Sequence, residues 1–138
     1  MLKVVLDTNM YLSAIIYGSM AEDILDLVAE DKLELLVSPE LATEVIKKFR
    51  EKEANESMLQ KINVLFNYKG IMVIPEVKID ICRDPNDNFL LELSQTAEAD
   101  YLISRDKDLL ELPNHRWKKT KILTPEEFLP ILRMRKII

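Results

Sequence analysis

Short apolar runs alternate with amphipathic segments along most of the chain. Five runs have the length and composition of buried strands, at residues 3–6, 33–37, 71–75, 101–104 and 121–123. Apolar residues recur at helical spacing between them, over residues 10–17, 20–30, 39–49, 57–67, 85–94, 107–111 and 125–135. Strands separated by helices predict an α/β fold built on a parallel sheet. Residues 76–83 carry no clear pattern and are left unassigned.

Proline marks the start of three predicted helices. In Ser38-Pro39, Asp84-Pro85 and Thr124-Pro125, a capping side chain precedes a proline that suits the first helical position. The stretch from Asp84 to Asp87 resembles a capping box built with two aspartates. These signals fix where the helices begin relative to the strands before them.

Four acidic side chains are predicted to meet at one edge of the sheet. Asp7 and Asp106 each follow an apolar strand, and the carboxyl ends of parallel strands open onto a common crevice. Asp87 points with the buried face of its helix, and Glu44 flanks the apolar stripe of another. Several carboxylates at one point repel each other, so raised pKa values or a bound cation must relieve the repulsion.

Each acidic residue also has a purely structural interpretation. Asp84 and Asp106 could serve as helix N-caps, Asp87 as a capping partner, Glu44 as a surface glutamate and Asp7 as a turn former. Asp7 fits this interpretation least well, because a carboxylate between an apolar strand and a buried helix is costly without a partner. The pattern alone leaves both interpretations open.

Composition narrows the class of protein. The 138 residues suit one compact domain over residues 1–138, and no apolar run approaches the roughly 20 residues of a membrane span. The N-terminus lacks the basic region and apolar core of a signal peptide, so we expect a cytoplasmic location. With one cysteine and one histidine, no Cys/His zinc cluster can form, and a metal would need oxygen ligands, which favours Mg²⁺ or Mn²⁺.

Charge and glycine content bear on the ligand. The net charge is −5, but residues 105–138 hold nine basic and five acidic side chains, so this part of the chain is positive. It could face phosphates, or it could be a solvated surface that aids solubility. The two glycines are too few for the phosphate-cradling loops of kinases and dinucleotide-binding proteins.

Four stretches together resemble the PIN domain, a family of mostly metal-dependent ribonucleases that includes toxins of prokaryotic toxin–antitoxin pairs. They are residues 4–9 (VVLDTN), 38–44 (SPELATE), 84–90 (DPNDNFL) and 99–110 (ADYLISRDKDLL). The resemblance spans nearly the whole chain. It implies a three-layer α/β/α sandwich with a central parallel sheet of about five strands.

The resemblance also implies roles for individual side chains. Asp7, Glu44, Asp87 and Asp106 match the acidic quartet of the family, in which the three aspartates hold Mg²⁺ or Mn²⁺ and Glu44 completes the cluster or orients water. The supporting residues are Asn9, Asp84, Ser104 and Asp108. Ser104 stands where the family often has threonine, and it keeps the hydroxyl group.

The implied activity is cleavage of single-stranded RNA, with an antitoxin protein and a second copy of the chain as further partners. Candidate contacts to the RNA backbone are Arg105, Arg116, Lys118 and Lys119, with Arg133, Arg135 and Lys136 of the C-terminal tail. Arg105 could instead pair with a neighbouring acid. The alternatives are a non-catalytic regulatory or binding module on the same scaffold, a metal-dependent DNA nuclease and a phosphatase.

Overall fold

A six-stranded sheet forms the centre of the computed structural model, which describes residues 1–138. The strands follow the order β3-β2-β1-β4-β6-β5. All neighbouring pairs are parallel except β5 and β6, which form an antiparallel hairpin. The strands are β1 Lys3–Leu6, β2 Glu34–Val37, β3 Gly70–Met72, β4 Tyr101–Ile103, β5 Arg116–Trp117 and β6 Thr120–Leu123.

Seven α-helices cover both faces of the sheet, which confirms the predicted α/β/α architecture. Short 3₁₀ turns at Pro85–Asp87 and Pro113–His115 and a π-helical turn at Leu65–Lys69 complete the regular structure. None of the helices has the length and apolar character needed to cross a membrane. The helices are α1 Thr8–Ile15, α2 Met20–Ala29, α3 Pro39–Glu51, α4 Glu56–Val64, α5 Asn88–Ala97, α6 Lys107–Leu110 and α7 Pro125–Met134.

The core explains why the apolar runs become strands. Val4, Val5 and Leu6 of β1 are fully buried, as are Leu102 and Ile103 of β4. Both strands lie inside the sheet with helices on either face, so their side chains have no solvent-facing side. Thirty-five buried hydrophobic residues join in a single cluster around them. This packing holds the carboxyl ends of β1 and β4 side by side, in the register Leu6 opposite Ile103.

The hairpin at the sheet edge differs from the prediction. The predicted strands do not include residues 116–119, but Arg116 pairs with Lys121 and Trp117 with Thr120. The Trp117 indole also donates a hydrogen bond of 2.9 Å to Gln95 on α5. The sheet therefore has six strands instead of about five, and the extra strand is antiparallel.

Residues 76–82, which belong to the unassigned stretch 76–83, run along α5 without regular secondary structure and are here called the 76–82 segment. It is fixed by side chains of α5 that lie four residues apart and so share one face of the helix. Each accepts hydrogen bonds from backbone N–H groups of the segment: Asn88 from Ile81 and Cys82, Glu92 from Ile79, and Thr96 from Glu76, at 2.9–3.2 Å. The segment leads directly into Asp84 and the start of α5.

Candidate acidic active site

Asp7 lies at the junction of β1 and α1. It caps α1, so the helix begins at Thr8 rather than at Met10 as predicted, and Oδ1 accepts a hydrogen bond of 3.3 Å from the Asn9 backbone N–H. Ser104 donates a hydrogen bond of 2.6 Å to Oδ2. Burial raises the pKa of Asp7, the charge of Asp106 adds to the rise, and the bonds from Ser104 and Asn9 oppose it.

Ser104 links the carboxyl ends of the two central strands. Its side chain is fully buried directly after β4. The hydroxyl oxygen donates to Asp7 and accepts a hydrogen bond of 2.9 Å from the Asp106 backbone N–H. Ser104 therefore fixes Asp7 relative to Asp106, and its supporting role in a metal site stays a prediction.

Three aspartates form the tightest acidic group. One carboxylate oxygen from each of Asp87, Asp106 and Asp108 lies within 4.8 Å of the other two. Asp106 caps α6 and accepts a hydrogen bond of 2.9 Å from the Asp108 backbone N–H, which brings these two residues together. The predicted metal ligands were Asp7, Asp87 and Asp106. In the structure Asp108 joins the group, whereas Asp7 stands beside it with one oxygen already bonded to Ser104.

Asp87 has the least favourable electrostatic environment of the three aspartates, because it is partly buried beside other carboxylates. Its Oδ2 atom is buried and has no hydrogen-bond partner. Burial, contact with the Asp106 side chain and the nearby charges of Asp106, Asp7 and Asp84 raise the pKa of Asp87 to about 7. An unpartnered buried carboxylate oxygen beside other carboxylates suits a cation and is otherwise unfavourable.

The predicted quartet opens onto one cleft of about 580 Å³ at the carboxyl edge of the sheet. Glu44 enters from α3, half-buried, while Asn9 and Asp84 are exposed at its margin. The lining residues are Asp7, Thr8, Asn9, Pro39, Glu40, Thr43, Glu44, Lys48, Asp84, Asn86, Asp87, Phe89, Leu90 and Asp106. The structure thus brings together the four acids that the sequence places far apart.

Asp84 caps a helix start and also lines the cleft, while a role as a metal ligand stays a prediction. Its Oδ1 accepts a hydrogen bond of 3.0 Å from the Asn86 backbone N–H, so it caps the turn that leads into α5. The side chain also lines the cleft. The reciprocal bond of the predicted capping box is absent, because Asp87 turns its carboxylate toward the acidic group and bonds to Asp84 only through the backbone, at 3.0 Å.

Comparison with known proteins decides the family. A family model described as the PIN domain matches residues 3–108, which include all four acids of the quartet. The chain belongs to the PIN domain family. It is similar to uncharacterized protein MJ1680 of Methanocaldococcus jannaschii, with 31% identity over 140 aligned positions that cover 93% of this chain and 90% of the relative.

A solved structure supports the fold of this PIN domain. The chain is similar to VapBC2 from Rickettsia felis, crystallised bound to a DNA fragment from their promoter, with a TM-score of 0.59. The match covers 88% of this chain and 97% of that chain at 16% sequence identity. At this identity the likeness concerns the fold alone.

Arg105 lies next to the acidic group, but its charge is already paired. Its guanidinium nitrogen Nη1 is 2.6 Å from Oε1 of Glu126, in the first turn of α7. Of the two roles considered for Arg105, the structure shows the ion pair. A contact between Arg105 and phosphate stays a prediction.

The basic residues of the β5–β6 hairpin lie away from the cleft of the PIN domain. Lys119 is 3.8 Å from Asp100, which directly precedes β4, so the turn of the hairpin lies at the amino edge of the sheet. Lys118 stands over the Trp117 ring, 5.4 Å from its centroid, and Arg116 is exposed on the edge strand. Any RNA contact by Arg116, Lys118 or Lys119 stays a prediction, and it would be remote from the acidic group.

Sequence reasoning did not select Lys48 or Arg83. Lys48 lines the cleft one helical turn after Glu44, so the four-residue spacing on α3 could have found it. Arg83 Nη1 lies 3.9 Å from Oδ1 of Asp108. No pattern in the sequence indicates the contact between Arg83 and Asp108, because this contact depends on how the 76–82 segment is held against α5.

Proposed function

We propose that this PIN domain, over residues 1–138, is a metal-dependent endoribonuclease that cleaves single-stranded RNA. The observation that carries the proposal is the acidic group in the cleft, where Asp87 keeps a buried oxygen without a partner. Membership of the PIN domain family supports nuclease chemistry at this position. A cleft with no histidine or cysteine in its lining leaves carboxylates to organise the reaction.

The donor set fits a hard divalent cation. Asp87, Asp106 and Asp108 offer only oxygen atoms, which Mg²⁺ and Mn²⁺ prefer, and Asp7 supplies a further carboxylate beside them. When bound, such an ion activates water and neutralises charge on the leaving oxygen of a phosphodiester. We propose Asp87 and Asp106 as the main ligands, with Asp7 and Asp108 completing the set.

Four other residues would position the metal ligands, the attacking water and the substrate. Ser104 holds one oxygen of Asp7 and the backbone of Asp106, so the two carboxylates keep their relative position without a ligand. Glu44 lies on the α3 wall of the same cleft, where its carboxylate can accept a hydrogen bond from the attacking water. Asp84 and Asn9 border the entrance.

Cleavage assays test the proposal. Wild type, Asp7→Asn and Asp106→Asn are compared at matched folding, with RNA, DNA and a small phosphate ester as substrates and Mg²⁺ or Mn²⁺ as cofactor. Exposed Asp80, on the 76–82 segment, gives the matched control Asp80→Asn. We expect RNA to be cleaved fastest and each site variant to lose at least about tenfold to a hundredfold in rate. Equal rates in all four proteins would refute the proposal. Faster cleavage of DNA or of the phosphate ester would show that RNA is not the preferred substrate.

We further propose that the protein is the toxin of a toxin–antitoxin pair, acts in the cytoplasm and forms a homodimer. Support comes from the family and from the fold shared with VapBC2, whose structure was solved bound to promoter DNA. A short reading frame directly upstream, whose product co-purifies with this chain and inhibits RNA cleavage, is expected. Light scattering on the purified chain tests the dimer.

A further inference from the structure

Basic side chains near the cleft differ in how firmly their charge is already paired. Arg105 is bound to Glu126 at 2.6 Å, so a phosphate would have to displace a short charge-assisted bond. Lys118 and Lys119 belong to the hairpin turn at the opposite edge of the sheet. Cations that can bind a ligand over the acidic group must therefore line the cleft or lie beside the acidic group itself.

Lys48 is the only basic residue that lines the cleft. Its ammonium nitrogen lies 3.8 Å from Oε2 of Glu51, and the two side chains are 40% and 50% exposed. An ion pair this long and this exposed contributes little free energy. Lys48 can therefore exchange Glu51 for an anionic ligand at small cost.

Arg83 lies beside Asp108 of the acidic group and outside the lining of the cleft. Its side chain is 87% exposed, and its only ion pair, to Asp108, is 3.9 Å long. Lys48 belongs to α3, which follows β2, whereas Asp108 belongs to α6, which follows β4. Strand β1, which ends at Asp7, lies between β2 and β4 in the sheet. Lys48 and Asp108, the partner of Arg83, therefore belong to helices that follow strands on opposite sides of β1.

We propose that Lys48 and Arg83 each bind a phosphate of one RNA strand, so that the strand crosses the carboxyl ends of β1 and β4 over the acidic group. The inference rests on the proposed function and adds the path of the substrate. A cleft lined by carboxylates repels a polyanion, and two cations outside the acidic group offset this repulsion while leaving the phosphodiester between them above the aspartates.

This arrangement makes Lys48 and Arg83 positioning residues. Contacts to phosphate fix the register of the backbone and carry no base information. Their loss should raise KM to the same extent for RNAs of different sequence. Loss of Lys48 should leave kcat unchanged, because its ion-pair partner is Glu51 and not a member of the acidic group. A merely structural role would change neither KM nor its salt dependence.

The test compares Lys48→Met, Arg83→Met and the double variant with two matched controls. Lys47→Met removes the same charge from an exposed neighbour on α3, and Lys78→Met does so on the 76–82 segment. KM and kcat for a single-stranded RNA oligonucleotide are measured with Mn²⁺ at several salt concentrations. Each lost phosphate contact should raise KM about threefold to fivefold at 0.15 M salt and lower the slope of log KM against log salt by about 0.7. In the double variant this slope should decrease by about 1.4, and in the two controls it should stay unchanged.

Unchanged KM and salt slope in both the Lys48→Met and Arg83→Met variants would refute the proposed RNA path. An equal effect in the two controls would also refute it. Binding of a fluorescent RNA oligonucleotide to the same variants in an Asp106→Asn background gives a readout without cleavage. Absence of RNA cleavage by wild type with any metal would refute the proposed function. The salt dependence of RNA binding would then still test the RNA path. A smaller slope in both the Lys48→Met and Arg83→Met variants supports the path, and unchanged slopes refute it.

Discussion

Asp87→Asn is expected to stabilise the metal-free protein at neutral and alkaline pH. The wild-type carboxylate has a buried oxygen without a partner, next to the charges of Asp106 and Asp7. An asparagine at this position is neutral and has an N–H group that can donate to Asp106. Loss of a residue of the acidic group should thus increase stability, which is the opposite of the usual effect of a mutation.

The size of the effect follows from the pKa of Asp87, which rises from 3.8 to about 7. Well below pH 4 the carboxyl group is protonated in both the folded and the unfolded states, so it does not affect stability. Between about pH 4 and 7 only the unfolded state ionises, and folding becomes less favourable as the pH rises. At about 1.4 kcal/mol per pKa unit the full effect is about 4 kcal/mol, which solvent screening of this partly exposed side chain reduces to about 1–2 kcal/mol.

Urea denaturation in EDTA measures this difference. Wild type and Asp87→Asn are compared at pH 8 and at pH 4, with Asp80→Asn as the control for loss of an exposed carboxylate. We expect a gain of about 1–2 kcal/mol for Asp87→Asn at pH 8 that falls to roughly a few tenths of a kcal/mol at pH 4. An equal gain at both pH values, or a loss at pH 8, would refute the electrostatic reasoning. Addition of Mn²⁺ should stabilise wild type and not Asp87→Asn.

Two further substitutions test the residues that hold the site together. Ser104→Ala leaves the buried Asp7 oxygen and the Asp106 N–H without their shared partner, so we expect a loss of about 1–3 kcal/mol in urea denaturation, while Ser104→Thr should lose less. Glu92→Leu removes the acceptor of the Ile79 N–H, so hydrogen exchange of the Ile79 amide should accelerate at least about tenfold. Glu92→Gln is the control, because it keeps an acceptor. Equal exchange rates in both variants would argue that this hydrogen bond does not anchor the 76–82 segment.

The sequence predicted most of the fold because its strands are buried on both faces and read as plain apolar runs. The β5 strand escaped prediction because two residues are too short to show an alternating pattern. The 76–82 segment escaped for another reason. Its hydrogen bonds run to Asn88, Glu92 and Thr96, which come later in the chain, so its conformation depends on packing against α5.

The site was predictable where strand ends fix the side chains and less so elsewhere. Asp7 and Asp106 follow parallel neighbours, and both reach the cleft. For Asp84 and Asp106 a capping role does not exclude a place in the site, because the cap uses one carboxylate oxygen and leaves the other free of that bond. The approach of Asp108 depends on the cap formed by Asp106, and sequence spacing alone does not distinguish it from an exposed helix residue.

The most direct test of the central claim is anomalous diffraction from crystals of the protein grown with Mn²⁺. We expect an anomalous peak in the cleft, with carboxylate oxygens of Asp87 and Asp106 at about 2.0–2.6 Å from the ion and Asp7 or Asp108 nearby. The same crystals of Asp106→Asn should lose the peak. A wild-type cleft without Mn²⁺, in crystals that diffract well enough to show ordered water there, would contradict the claim that these acids form a metal site.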